Sequence, residues 1–143
     1  MDKEQKQQYK DLSAALMRQV GEAARAKYGS AEAMAKATNR DGGNLRSTLL
    51  GDYSPALDYA IELAELAEVC FFVGDMVCLN ANTFVPHILA LLIQKYGSQR
   101  QAAEACGLSY GYLNKLYAEG KPMIRLAVLC AMADALGQKV SVA

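Results

Sequence analysis

A mainly α-helical fold, with two tandem helical units joined by a short apolar β-hairpin, is predicted by three features of the 143-residue sequence. The tetrapeptide KYGS occurs twice, at residues 27–30 and 95–98. The residues after each copy keep one pattern of small and apolar positions: Met34 matches Ala102, Ala35 matches Ala103, Ala37 matches Ala105 and Leu45 matches Leu113. A repeat of that length marks one supersecondary unit used twice. Between the units, VCFFVGDMVCLN sets Gly74-Asp75 among β-favouring residues, as a two-residue hairpin turn requires. The expected boundaries are 1–69 for the first unit, 70–81 for the hairpin and 82–143 for the second unit.

Each element has a local reason. Tyr9, Leu12, Leu16 and Val20 share one helical stripe, so a first helix is expected from about residue 2 or 11 to about residue 27. Gly29 stops it, and Ser30 caps a short helix carrying Met34, Ala35 and Thr38. Asn39 turns the chain and Asp41 caps a third helix. Gly51 and Pro55 then precede a fourth, with Leu57, Ile61, Ala64 and Leu66 or Val69 facing inward. In the second unit Asn82 or Thr83 caps a helix with Pro86 in its first turn and Ile88, Leu91 and Leu92 on its apolar side. Gly97 stops that helix and Ser98 caps the next, which runs to Cys106. Gly107-Leu108 turns, Ser109 caps a third helix, and Gly120 and Pro122 break the chain before a last one with Leu126, Leu129, Met132 and Leu136.

In the hairpin Phe71 faces Cys78 and Phe72 faces Val77, which makes both faces apolar. Such a ribbon must be sandwiched between the units or buried in a dimer. A short buried helix is the competing reading of the same run. The tail KVSVA alternates enough to add a further strand.

Composition narrows the function classes. A hydrophobic fraction of 52% fits a packed globular protein. The polar start MDKEQKQQYK is not expected to be a signal peptide, and the apolar run at 85–93 is too short for a membrane span. Cys70, Cys78, Cys106 and Cys130 form no CxxC pair, and the lone His87 cannot complete a zinc site. They read as reduced core thiols of a cytoplasmic protein. No phosphate loop, nucleophile elbow or HExxH is present, so neither enzyme activity nor a cofactor is expected. Net charge is zero, but the halves differ. Residues 1–80 carry nine Lys/Arg against twelve Asp/Glu, and residues 81–143 carry six against three. Only the second half is suited to phosphate.

The stretch SQRQAAEACGLSYGYLNKLYAEGKPMIRLAVLCAMADALG carries a helix-turn-helix pattern. Small Ala103 allows a close helix crossing, Gly107 supplies a tight turn, Ser109 caps the following helix, and Leu108, Leu113 and Leu116 anchor it. Residues 84–137 resemble the phage-repressor family (λ repressor/Cro, XRE-like), and the matching region of the first half resembles it weakly. The resemblance implies that the third helix of the second unit reads bases through Tyr110, Gly111, Asn114 and Lys115. It also implies backbone contacts from Gln99, Arg100, Tyr112 and Lys121. The first unit departs from the pattern. Ala31 stands at the place of Gln99, Gly42-Gly43 open the would-be reading helix, and Thr48 replaces the core Leu116. Asn44, Arg46 and Ser47 remain as a second set of readers.

The function these features imply is a sequence-specific transcriptional regulator, of phage or mobile-element type and a repressor, acting on a double-stranded DNA operator at the nucleoid. Two arrangements are open. The two units could form an internal pseudo-dimer on two half-sites, but the expected arrangement is a homodimer assembled through the N-terminal unit and hairpin, because the charge and the reading residues are concentrated in one half. The alternative function is a protein-binding adaptor or anti-activator that kept the fold without binding DNA. An antitoxin-like role, in which a DNA-binding unit also grips a toxin, would fit both.

Overall fold

Asp2, Ser30, Asp41, Asn80 and Ser98 each accept a backbone amide with the side chain, and a helix starts after each of them. The computed structural model describes residues 1–119 and 123–143. The break expected at Gly120 and Pro122, and Lys121, lie outside the described residues. The chain runs α1 (Lys3–Tyr28), α2 (Ala31–Thr38), α3 (Gly42–Leu50), α4 (Leu57–Leu66), β1 (Phe71–Val73), β2 (Met76–Cys78), α5 (Ala81–Tyr96), α6 (Gln99–Cys106), α7 (Tyr110–Glu119), α8 (Leu126–Ala135) and β3 (Val140–Val142). The fold is mainly helical, with a small three-stranded antiparallel sheet ordered β2-β1-β3. Among the described residues no helix is long and apolar enough to cross a membrane.

The repeated KYGS has a structural job. Lys27 Nζ and Tyr28 Oη both donate to the Leu66 carbonyl at the end of α4, at 2.9 and 3.2 Å. Lys95 Nζ and Tyr96 Oη both donate to the Ala135 carbonyl at the end of α8, at 2.9 and 2.6 Å. Each ammonium also lies over its neighbouring tyrosine ring. A helix C-terminus leaves its last carbonyls without intrahelical partners and favours cations there. The motif therefore ties the end of the first helix of a unit to the end of the fourth. Its glycine, with φ of +95° at Gly29 and +92° at Gly97, then turns the chain.

The two units are joined across a pseudo-twofold axis. Ala56 and Arg125 form an isolated antiparallel bridge, in which Leu57 N donates to Ile124 O and Leu126 N donates to Pro55 O. In the sheet Phe71 pairs with Val142, Phe72 with Ser141 and Val73 with Val140. Ala56 and Arg125 are 69 positions apart, and so are Phe72 and Ser141. Two separate pairings thus share one symmetry. A single buried cluster, including Met17, Leu49, Phe71, Ile88, Leu113 and Leu129, runs through both units.

The hairpin register is the expected one, Phe71 with Cys78 and Phe72 with Val77, and the tail forms the further strand. Its burial is one-sided rather than two-sided. Phe71, Val73 and Cys78 are buried, whereas Phe72 is half-buried and Val77 is 42% exposed. The other corrections are local. Leu12 is 46% exposed, and the buried side of α1 is carried by Ser13, Leu16, Met17, Val20, Gly21 and Ala24. The cap of α5 is Asn80, not Asn82 or Thr83. Pro86 therefore falls in the second turn, where it cannot donate to the Asn82 carbonyl; Asn82 is exposed, so water can take it. Leu66, Leu91, Leu108 and Leu136 do face inward, half-buried and packed against the core, which Leu63 and Leu89 fill beside them.

Candidate nucleic-acid interface

α7 has two unlike sides. Ser109 Oγ accepts the Tyr112 amide at 3.1 Å and starts the helix. Leu113 and Leu116 are buried and fix its inner side. That anchoring leaves Tyr110, Gly111, Asn114 and Lys115 exposed together on the outer side. Tyr117, 58% exposed, extends the same face. The sequence signal for it was its spacing, three residues from Asn114 and seven from Tyr110.

Among the described residues one cation flanks this face and another stands in it. The Arg100 guanidinium, from the first turn of α6, lies 4.3 Å from the centre of the Tyr110 ring. The stacking holds both side chains at the α6–α7 edge without neutralising the charge. Lys115 reaches Glu119 only at 4.0 Å, and both are exposed, so the ammonium stays available. Gln99 is half-buried at the start of α6. Tyr112 is half-buried and packed on the core, and burial raises its phenol above its ordinary range. Of the backbone contacts expected, Arg100 is exposed beside the face, whereas Gln99 and Tyr112 are half-buried.

The corresponding face of the first unit is chemically different. Glu32 stands where the second unit has Arg100, and Gly42 where it has Tyr110. Arg46 lies 3.8 Å from Glu32, both exposed. Asn44 Oδ1 accepts from Tyr53 Oη at 3.1 Å, and Ser47 Oγ donates to Asp52 at 2.9 Å. Thr48 is fully buried, and its hydroxyl donates to the Asn44 carbonyl and lies against Tyr53 Oη. Asn44 and Ser47 are thus engaged within their own unit, whereas the Arg46 guanidinium, like the Lys115 ammonium, meets only an exposed carboxylate and stays available. Arg40 pairs with Glu62, and α4 presents Asp58, Glu62 and Glu65 to solvent.

No reactive centre emerges from the cysteines. Burial pushes the thiols of Cys78 and Cys130 up to about 12 and that of Cys106 up to about 11. Among the described residues no group of three His, Cys, Asp or Glu side chains is placed to hold a metal ion. His87 is exposed on α5. No protein family, curated protein or solved structure matches the chain.

Proposed function

We propose that the chain is a sequence-specific, double-stranded DNA-binding transcriptional regulator that lays α7 in the major groove. The observation that carries the reading is the outer face of α7. Tyr110, Asn114 and Lys115 stand exposed on a helix whose inner face is locked by Leu113 and Leu116, with Arg100 beside them. Asn can pair with adenine through two hydrogen bonds, Lys donates to guanine or phosphate, and Arg100 suits the sugar-phosphate backbone. α6 and α7, joined through Gly107 at φ +70°, are then the helix-turn-helix pair, with α2 and α3 its degenerate copy.

The pseudo-twofold favours one chain as the reading unit. From Leu45 to Ala56 the chain passes through part of a helix and a six-residue loop, a reach of about 28 Å at most. Readers on adjacent turns of a duplex need about 17 Å each side of the axis, which is within that reach. One half-site is then read by α7 and the other is touched by α3, where Asn44 and Ser47 are engaged elsewhere and Arg46 alone is left. A homodimer through the N-terminal unit and hairpin is the competing assembly. Selection of bound sites from a random DNA pool, with the mass of the complex in solution, tests both points. A salt-dependent complex of one chain per site supports the proposal, and absence of any salt-dependent binding refutes it.

A second reading, a protein-binding adaptor, is favoured by the acidic outer face of α4 and the engaged side chains of α3.

A further inference from the structure

The pseudo-twofold exposes a vacancy. α1 has 26 residues and α5 has 16. With Lys27 matched to Lys95, α5 begins at the counterpart of Ser13, so residues 3–12 of α1 have no counterpart in the second unit. Those extra turns lie over α8. Tyr9 Oη donates to Asp134 at 2.7 Å, and Gln8 and Leu12 share a crevice with Cys130, Asp134, Gln138 and Val140.

The offset is 68 at Lys27 and Lys95 but 69 between their acceptors Leu66 and Ala135, and subtracting 69 from Cys130, Asp134, Gln138 and Val140 gives Ile61, Glu65, Val69 and Phe71. These four residues line an open groove of about 450 Å³, together with Cys78 and the 65% exposed Leu79. The segment before α5, which could have continued as a covering helix, is spent on β2 instead. Glu65 is thus the unmatched counterpart of Asp134 and joins no ion pair among the described residues. Its surroundings are acidic. Asp58 is exposed, Glu68 meets only the exposed Lys27 at 3.5 Å, and residues 1–80 carry nine Lys/Arg against twelve Asp/Glu.

We propose that this groove docks an amphipathic helix of a partner protein, basic beside its apolar stripe, lying on α4 and the end of β2 as the start of α1 lies on α8. The apolar stripe would cover Ile61, Val69 and Leu79, and a hydroxyl or cation would meet Glu65 as Tyr9 meets Asp134. Helix-in-groove docking of this kind draws its affinity from the apolar anchors and its orientation from the charges. The site is independent of whether α7 binds DNA.

The test uses the full chain and, as probe, a synthetic peptide of its residues 1–20 carrying Glu4→Lys and Asp11→Lys. Amide shifts during an NMR titration are expected to saturate at residues 61–71 and 78–82, and to weaken as salt is raised. Glu65→Lys and Leu79→Asp, both at exposed side chains, are each expected to weaken the complex at least about tenfold, while Leu50→Asp on α3 leaves it unchanged. No saturation up to about 1 mM peptide would overturn the proposal. So would shifts centred on α8, which would mean that the peptide displaces α1. A concentration-dependent doubling of mass, abolished by Leu79→Asp without any peptide, would assign the groove to a second copy and overturn the occupant proposed.

Discussion

Ser54 caps a helix of the other unit: its hydroxyl accepts the amide of Ala127, in the first turn of α8, at 2.9 Å. α8 has no cap of its own, because its preceding residue is Arg125. That arginine instead donates to the Ser54 carbonyl at 2.7 Å, and Ser13 Oγ reaches Ser54 Oγ at 3.1 Å. One serine therefore links α1, the end of the first unit and the start of α8. Ser54→Ala should cost about 1–2 kcal/mol. Urea unfolding should show a lower midpoint with an unchanged slope, in a single transition by every probe. Two separated transitions would show that the units unfold independently.

The unequal faces of α3 and α7 predict unequal mutants. Asn114→Ala should cost about 1–3 kcal/mol at a selected site and relax discrimination there. Arg100→Gln should weaken all duplexes alike and flatten the salt dependence. Arg46→Ala, which removes only an exposed pair with Glu32, should change selectivity little. Competition binding with selected and scrambled duplexes over a salt series checks all three.

Two glycines inside helices should respond with opposite signs. A Cβ at Gly111 would meet nothing within 4 Å, so Gly111→Ala should stabilise the fold by about 0.5–1 kcal/mol through helix propensity. A Cβ at Gly21 would lie 2.8 Å from the Leu49 carbonyl oxygen, where α1 crosses α3. Gly21→Ala should therefore lower the melting temperature despite the better propensity. If Gly111→Ala raises the melting temperature yet weakens DNA binding, the bare backbone there approaches the duplex closely.

The twin tyrosines should also differ. Tyr96 Oη lies 2.6 Å from the Ala135 carbonyl, Tyr28 Oη 3.2 Å from that of Leu66. Tyr96→Phe is expected to cost about 1 kcal/mol. Tyr28→Phe should cost less. The neighbouring lysine still donates to the carbonyl in each case, which caps the loss. Thermal melts of the two variants in one buffer give the order.

Alkali should act through the thiols. An unfolded thiol ionises near 9, whereas burial holds Cys78 and Cys130 neutral to about 12 and Cys106 to about 11. Between these values the folded chain keeps protons that the unfolded chain has lost. Stability is thus full below pH 9 and falls above it, by up to about 1.4 kcal/mol per pH unit for each thiol. Urea midpoints from pH 7 to 10.5 should be flat and then decline. A thiol reagent at pH 8 should label Cys70, the half-buried one, well before the other three.

What could be read from the sequence was what short-range chemistry decides. Ser30, Asp41, Ser98 and Ser109 cap their helices, Asn39 and Gly107 take left-handed turns, and Gly74-Asp75 sets the hairpin register, because each depends on a few adjacent residues. The exposure of Tyr110, Asn114 and Lys115 was legible for a related reason: Leu113 and Leu116 fix which side of α7 faces inward. An internal pseudo-dimer was conceivable from the repeat, but the contacts that set its axis were not legible. The axis rests on Pro55 and Ala56 meeting Ile124 and Arg125, and on β1 meeting β3, contacts between residues about seventy apart with no shared local signal. Leu12 misled for the same reason. Its neighbour is α8, a crossing that no helical stripe records. The ties of Asn44 to Tyr53 and of Ser47 to Asp52 depend on how the loop after α3 folds back.

A peptide-linked pair cannot come apart on dilution, as two separate subunits can. Holding both halves together at Ala56–Arg125 and Phe72–Ser141 within one polypeptide keeps each at a high effective concentration for the other, of millimolar order for linked modules. It also releases the halves from identity. A residue changed in a symmetric dimer changes twice, whereas here Glu32 and Arg100, or Gly42 and Tyr110, occupy equivalent places with opposite chemistry. One polypeptide can thereby give its two sides separate tasks.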